Sequence, residues 1–281
     1  MAVIDRCLCG GVDDTDQALD DVTLRSMLME KASVYWMDRT CEFTVDDVSK
    51  ESITSFIEDV WKFKGIWGCI YELYIEPVLS SYGLISDGKL TVAAVILFGK
   101  PSNPLNESAY IRIEEFDVNG NMTREDKVEG PTIDIARRAF DTLYDNYIHP
   151  RSRMGRTVTT RSKVNDYPED AIAESIVNAV VHRDYRMQEP ITISIHPDRL
   201  EVCSPGELPS IMSADDLQGS HISCGRNHTL VRVFHDMGLM EVWGHGTNRV
   251  IRACIENGNR MPEFSVTDGH FTVTIHKSGC R

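Results

Sequence analysis

Residues 167–205 constrain the fold most, because a helical and a strand periodicity follow one another there almost without a gap. YPEDAIAESIVNAVVHRDY reads as a helix opened by Pro168, with Glu169 and Asp170 in the first turn, where the helix dipole favours negative charge. Ile172, Ile176, Ala179, Val180 and Val181 give it an apolar side. ITISIHPDRLEVCSPGELP then changes period. Ile191, Ile193 and Ile195 alternate, His196-Pro197-Asp198 makes a tight connection, and Leu200 and Val202 resume the alternation. A 3.6-residue pattern cannot be laid out as a strand, so a helix followed by a hairpin is fixed here. The hairpin leaves through Ser-Pro-Gly, which brings Ser204 and Gly206 to the sheet edge.

The same helix carries chemistry. Glu174, Asn178 and His182 stand at i, i+4 and i+8 and line up along one face. A carboxylate and an amide one turn apart can together hold a water and a hard cation such as magnesium. An exposed polar face bonded to neighbouring loops satisfies the same spacing, and the residues alone leave both readings open.

Upstream, VSKESITSFIEDVWKF has helix spacing with Ile53, Phe56, Ile57, Val60 and Trp61 on one stripe, and residues 71–82 give a second apolar helix closed by Gly83. Residues 33–36 read as a strand. LTVAAVILFG fits a short helix or a buried strand, which periodicity cannot separate. AYIRIEEFDV alternates as a half-buried strand, VNGN is its turn, and PTIDIARRAFDTLYDNYI is an amphipathic helix begun by Pro131.

Charge divides the chain. There are 43 acidic and 29 basic side chains, a formal charge of -14, which argues against a surface basic throughout and built to trap nucleic acid. RSRMGRTVTTRSK, residues 151–163, is the exception, with five cations and no anion. It is taken as a basic linker between a small α+β domain at 31–150 and a second domain at 164–281, with an acidic lead-in at 1–30. The longest apolar stretch, Val92–Phe98, is too short to cross a bilayer, and MAVIDRCLCGG lacks a signal-peptide layout. A soluble cytoplasmic protein without membrane contact is expected. Eight scattered cysteines show no paired zinc spacing and read as free thiols.

Residues 210–227 form a polar stretch long enough to be a lid or binding loop, with a helical turn at 214–217. TLVRVFHDMGL follows as a helix with Leu230, Val233, Phe234 and Met237 inward. EVWGHGTNRVIRAC places Gly244-His245-Gly246-Thr247 at the start of another helix, where backbone N–H groups can approach an anion. EFSVTDGHFTVTIHK closes the chain as a hairpin turning at Asp268-Gly269.

Taken in order, AESIVNAVVHRDY, RLEVCSPGELP, GRNHTLVRVFHDMGLMEVWGHGTNRVI and PEFSVTDGHFTVTI resemble the C-terminal domain of RecG-related, Schlafen-AlbA-type transcriptional regulators. That domain is similar to the GHKL (Bergerat-type) ATPases. The resemblance implies an α+β fold, a two-layer α/β sandwich over 164–281, preceded by a smaller α+β domain that holds the tail of an AlbA-like region. It implies ATP and Mg2+ as cofactors, with Glu174 as the water-positioning catalytic residue and Asn178 as the magnesium ligand. Gly244, Gly246 and Thr247 match the box that wraps the phosphates. The adenine box departs from the pattern: Ser204 stands where an Asp is expected, and the second glycine after Gly206 is missing. His182, Arg226 and Asn227 complete the expected nucleotide-contacting set. No helicase motor is implied, because the phosphate loop G-x-x-x-x-G-K-[ST] is absent. Compared with the family pattern, the AlbA-like region is represented only by its tail, and the sequence stops at Arg281 before the winged-helix segment that often follows.

The expected function is therefore a nucleotide-binding regulatory module that binds ATP more readily than it hydrolyses it. Two readings stand beside it. One is a non-enzymatic assembly scaffold, forming a homodimer, that keeps the ATPase fold with a degenerate site. The other is DNA association through residues 151–163 or a larger assembly.

Overall fold

The computed structural model describes residues 36–65, 71–148, 151–154, 161–209, 212–219, 226–240 and 246–279. After a helical turn at 36–38, where a strand was expected to end, the chain enters α1 (Lys50–Phe63), capped by the Ser49 hydroxyl accepting from Ser52 N at 3.1 Å. Next come α2 (Ile75–Ser81), a small antiparallel pair β1 (Ile85–Ser86) and β2 (Lys89–Leu90), and α3 (Val92–Phe98). The ambiguous apolar run is thus a helix. The Thr91 hydroxyl accepts from Ala94 N and starts it, and all seven of its residues are buried. A helix apolar all round is stable only when other elements enclose it. Here α1 supplies Phe56, whose ring meets Tyr82 edge-on at 5.3 Å and Phe98 at 5.7 Å.

The chain then forms β3 (Ile111–Phe116), β4 (Met122–Val128) and α4 (Thr132–Asn146). The basic stretch differs from the linker expected of it: β5 (Arg151–Met154) and β6 (Arg161–Val164) pair antiparallel. The two strands satisfy one another's backbone hydrogen bonds. After it come α5 (Glu169–His182), β7 (Ile191–Ile195), β8 (Arg199–Pro205), a 3-10 turn at Asp215–Gln218 and α6 (His228–Asp236). Last come α7 (Gly246–Asn257), β9 (Glu263–Thr267) and β10 (His270–His276).

Six strands make one sheet in the order β4-β3-β7-β8-β10-β9, with β3 and β7 parallel and the remaining neighbours antiparallel. Register explains the layering. Ile113 pairs with Ile193, Ile193 with Val202 and Val202 with Val273, so one apolar row crosses four strands. Ile195, Leu200 and Ile275 form the next row. All of these are buried beneath the helices, with α4 against β3 and β4 and α5 against β8. Residues of opposite parity, including Arg112, Thr192, Glu201 and Thr274, face the other way. The result is the expected two-layer α+β arrangement. Two of its strands come from residues 31–150 and four from 164–281, so the two stretches share one sheet and one core.

A second tie joins the leading helices to α6. Tyr82 donates its hydroxyl to Asp236 Oδ2 at 2.5 Å, and Lys64 Nζ reaches the same oxygen at 3.1 Å. Among the described residues no helix is long and apolar enough to cross a membrane.

Candidate functional site around Glu174, Asn178 and Gly246

The apolar side of α5 turns towards the sheet, which leaves Glu174, Asn178 and His182 along the side that meets α7 and the loop before α6. Glu174 is 3% exposed. Asn178 Nδ2 donates to its Oε1 at 3.2 Å, and Arg249 Nη1 lies 3.4 Å from its Oε2. The first turn of α7 closes over this pair. A methyl group added at Gly246 would collide with Glu174 Oε1 and stand 3.1 Å from Asn178 Nδ2, so the glycine lets the backbone approach both side chains closely. Beside it, the Thr247 hydroxyl is buried and has no hydrogen-bond partner among the described residues. Asn248 Nδ2 donates to Gly219 O at 3.2 Å, which ties the same turn to residues 212–219. Two helices far apart in sequence thus meet. Gly244 lies outside the described residues.

At the carboxyl end of α5 the expected contact residues are committed to holding the backbone. Ser204 is buried and donates its hydroxyl to Ala179 O at 2.9 Å. Asn227, also buried, donates to Val181 O at 2.9 Å and to Arg183 O at 2.8 Å, satisfying carbonyls that the helix end leaves open. Gly206 has φ +121°, and its N–H donates to Gly269 O at 2.8 Å. A side chain there would press on Asp184 N at 3.2 Å. Asp184 receives the Arg186 backbone N–H, Arg186 Nε at 2.9 Å and Arg226 Nη1 at 3.0 Å. Burial alone would raise the Asp184 carboxyl, but the Arg186 hydrogen bonds and the Arg226 charge outweigh it and hold it below the usual value. His182 is pushed down to about 4, by desolvation of its ring first and then by the positive charges of Arg226 and His228. It is therefore neutral at pH 7.

Arg183 is 1% exposed, and its Nη2 donates to Ser108 O, Met187 O and Glu189 O. Its Nε and Nη1 have no hydrogen-bond partner among the described residues, and burial lowers its pKa. The guanidinium carbon lies 4.8 Å from the centre of the Tyr185 ring. The HRDY sequence accordingly pins a helix end to its loops by ion pairs and hydrogen bonds.

Arg249 is the residue that sequence reasoning passed over. Its signal is faint: an arginine three residues after the close-approach glycine, on the same side of α7. A separate cleft of about 120 Å³, lined by Tyr147, Asp166, His196 and Lys277 among others, opens at the opposite end of α5.

The donor set can be tested against ATP and magnesium from these facts. Magnesium takes oxygen ligands, usually one or two carboxylates with phosphates and waters. The Glu174–Asn178 pair, the orphaned Thr247 hydroxyl and the glycine-started helix fit the magnesium and phosphate end. Among the described residues no three of His, Cys, Asp and Glu cluster as a metal site by themselves, so phosphate oxygens would have to complete the coordination. The adenine end fits less well, because the Ser204 proton is used internally and the Asp184 carboxylate is held by two arginines.

The fold is a two-layer α+β arrangement of helices over a six-stranded mixed sheet. Residues 188–275 match the family described as "Putative ATP-dependent DNA helicase recG C-terminal", so this part of the chain is similar to an ATP-binding module. The match takes in Ser204, Gly206, Arg226, Asn227, Gly246 and Thr247, and begins after Glu174 and Asn178. The crystal structure of the DIP2311 protein from Corynebacterium diphtheriae shares the fold, with a TM-score of 0.69 over 90% of this chain at 22% identity. The chain spans 50% of that protein's length. No curated protein matches it.

Proposed function

We propose that this chain is a nucleotide-binding regulatory module that takes ATP with magnesium between α5 and the first turn of α7. The observation that carries the reading is the approach of Gly246 to Glu174 and Asn178, which brings the start of α7 against a carboxylate and an amide. In this reading Asn178 holds the magnesium, Thr247 and the backbone at Gly246 meet the phosphates, and Arg226 adds local positive charge at the other end. The claim is of binding, not turnover. Residues 164–281 carry the nucleotide, and residues 31–150 support it through the shared sheet. Isothermal titration of ATP and ADP, with and without magnesium, tests it. Binding that is magnesium-dependent and weakened in Asn178→Ala supports the assignment, whereas no heat for any nucleotide at millimolar concentration sinks it.

A second reading is favoured by the internal commitments of Ser204 and Asn227. There the fold serves as an assembly scaffold, without ligand, and sedimentation would show a stable homodimer that nucleotides leave unchanged. DNA association belongs with the basic residues of 151–163, whose cations would release counterions on binding, so a complex seen at low salt should weaken steeply as salt rises. A gel shift at low salt with no complex removes that role.

A further inference from the structure

The two edges of the six-stranded sheet differ. β4 is guarded: Arg124, Glu125, Asp126 and Lys127 follow one another along it, and its pairing with β3 shifts register at Glu115/Phe116. β9 has β10 as its one strand neighbour among the described residues. The two pair in unbroken register from Glu263↔Thr274 to Thr267↔His270, and after Glu263 the strand reads Phe264-Ser265-Val266-Thr267, without charge. Apart from Phe264 all of its residues are exposed, Val266 to 39%. An edge with no bulge, proline or run of charge is a template for another strand. Local geometry fixes which groups it offers. Asp268 and Gly269 have φ +50° and +80°, as in a two-residue hairpin turn, which makes Thr267 and His270 a hydrogen-bonded pair. Alternation from there turns the backbone N–H and C=O of Thr267, Ser265 and Glu263 towards β10, and those of Val266 and Phe264 outward.

We infer that β9 pairs antiparallel with β9 of a second copy of this chain, about a two-fold axis at Ser265, so that two sheets join into one. The strand is complementary to itself in this register. Phe264 stands opposite Val266 of the other copy, and these are the residues whose backbone groups point outward. Glu263 stands opposite Thr267, so no like charges meet, and its Oε1 already lies 2.7 Å from His276 Nε2 of its own chain. Phe264 is paired with buried Val273 on the helix side of the sheet, and its ring stacks with Phe271 at 6.3 Å. Val266 of the second copy extends this apolar strip. The inference owes nothing to the nucleotide reading; it rests on the scaffold reading, whose homodimer it gives a surface.

Sedimentation of the full chain tests it. A short edge buries less than a standard interface, so the dimer should be half formed at a chain concentration on the order of 10 μM. Each copy carries a formal charge of -14, so salt should strengthen the association by screening. Val266→Pro removes an outward N–H and leaves the bonds to β10 in place, and Val266→Lys puts a charge on the edge. Either should weaken dimerisation by about tenfold or more. Lys127→Ala, on β4, should not. Cross-linking decides the register even if both edge variants fold poorly. Ser265 faces its own counterpart at the roughly 4.5 Å Cα separation of a non-hydrogen-bonded pair, within disulfide reach. Under mild oxidant Ser265→Cys should form a covalent dimer above the background of the parent thiols, and Thr267→Cys, opposite Glu263, should not. A chain that stays monomeric to millimolar concentration, with no Ser265→Cys cross-link, would overturn both this inference and the scaffold reading, whatever other strand the edge accepts. A dimer that folded edge variants leave intact, or that Thr267→Cys links as well as Ser265→Cys, would overturn the inference and spare the scaffold reading.

Discussion

The Arg226 guanidinium meets the Asp184 carboxylate at 3.0 Å, and its second amino group donates to Glu207 O at 2.9 Å. One side chain thereby ties the end of α5 to the turn after β8 and to the start of α6. Asp184 keeps Arg186 as a second partner, so Arg226→Met should cost about 1–3 kcal/mol, less than the loss of a sole partner to a buried charge. Urea unfolding measures this, and a change within ±0.5 kcal/mol would show the tie to be idle. The carboxyl of Asp184 lies below its ordinary range, so its contribution is present above the unfolded value near ~4 and is lost as pH falls through the folded value.

His182 titrates in the other familiar window. Its folded value is about 4 against an ordinary 6.5, so the unfolded chain takes up the proton first as pH drops. Stability from this group is complete above pH 6.5 and declines down to pH 4, by on the order of 3 kcal/mol. In His182→Asn the unfolding free energy should fall less steeply across that interval than in the parent. Parallel curves for the two proteins would refute the assignment.

Gly246→Ala is expected to separate α7 from α5. The added methyl meets Glu174 Oε1 and Asn178 Nδ2, both on a packed helix, and either the helix start or the carboxylate has to shift. Overpacking of this kind costs about 1–3 kcal/mol. On the nucleotide reading ATP affinity should fall as well, and unchanged affinity in a folded variant would place the phosphates elsewhere.

Asn227→Ala removes both amide hydrogens from the carbonyls of Val181 and Arg183 in a position 2% exposed. The two carbonyls lose partners where water cannot replace them, so a loss of about 2–3 kcal/mol is expected. Thermal unfolding would reveal it, together with faster amide exchange at the last turn of α5. A melting temperature equal to that of the parent would mean that water reaches these carbonyls.

Most elements were legible because their burial is periodic. α5, α4 and the hairpin 191–205 carry helical and two-residue periods that survive into the sheet and its covering layer. Val92–Phe98 was not legible, since a segment buried on every side has no period to read. The pairing of 151–154 with 161–164 was missed because the sequence signal there is charge rather than an apolar period. Arg183, set among the polar residues of HRDYR, gave no hint that it is among the largest fully buried side chains.

The sequence by itself determined which residues could act together along one helix, because i, i+4 spacing sets a face before any tertiary contact exists. It also determined the order of helix and hairpin and the absence of a phosphate loop. Only the tertiary structure decided what those residues touch. Glu174 is partnered by Arg249, 75 positions away in sequence, whereas Ser204 and Asn227, both expected to contact nucleotide, turn inward to hold α5. A polar side chain in a partly buried place bonds to whatever donor or acceptor the packing brings within about 3 Å, and no local pattern encodes that neighbour.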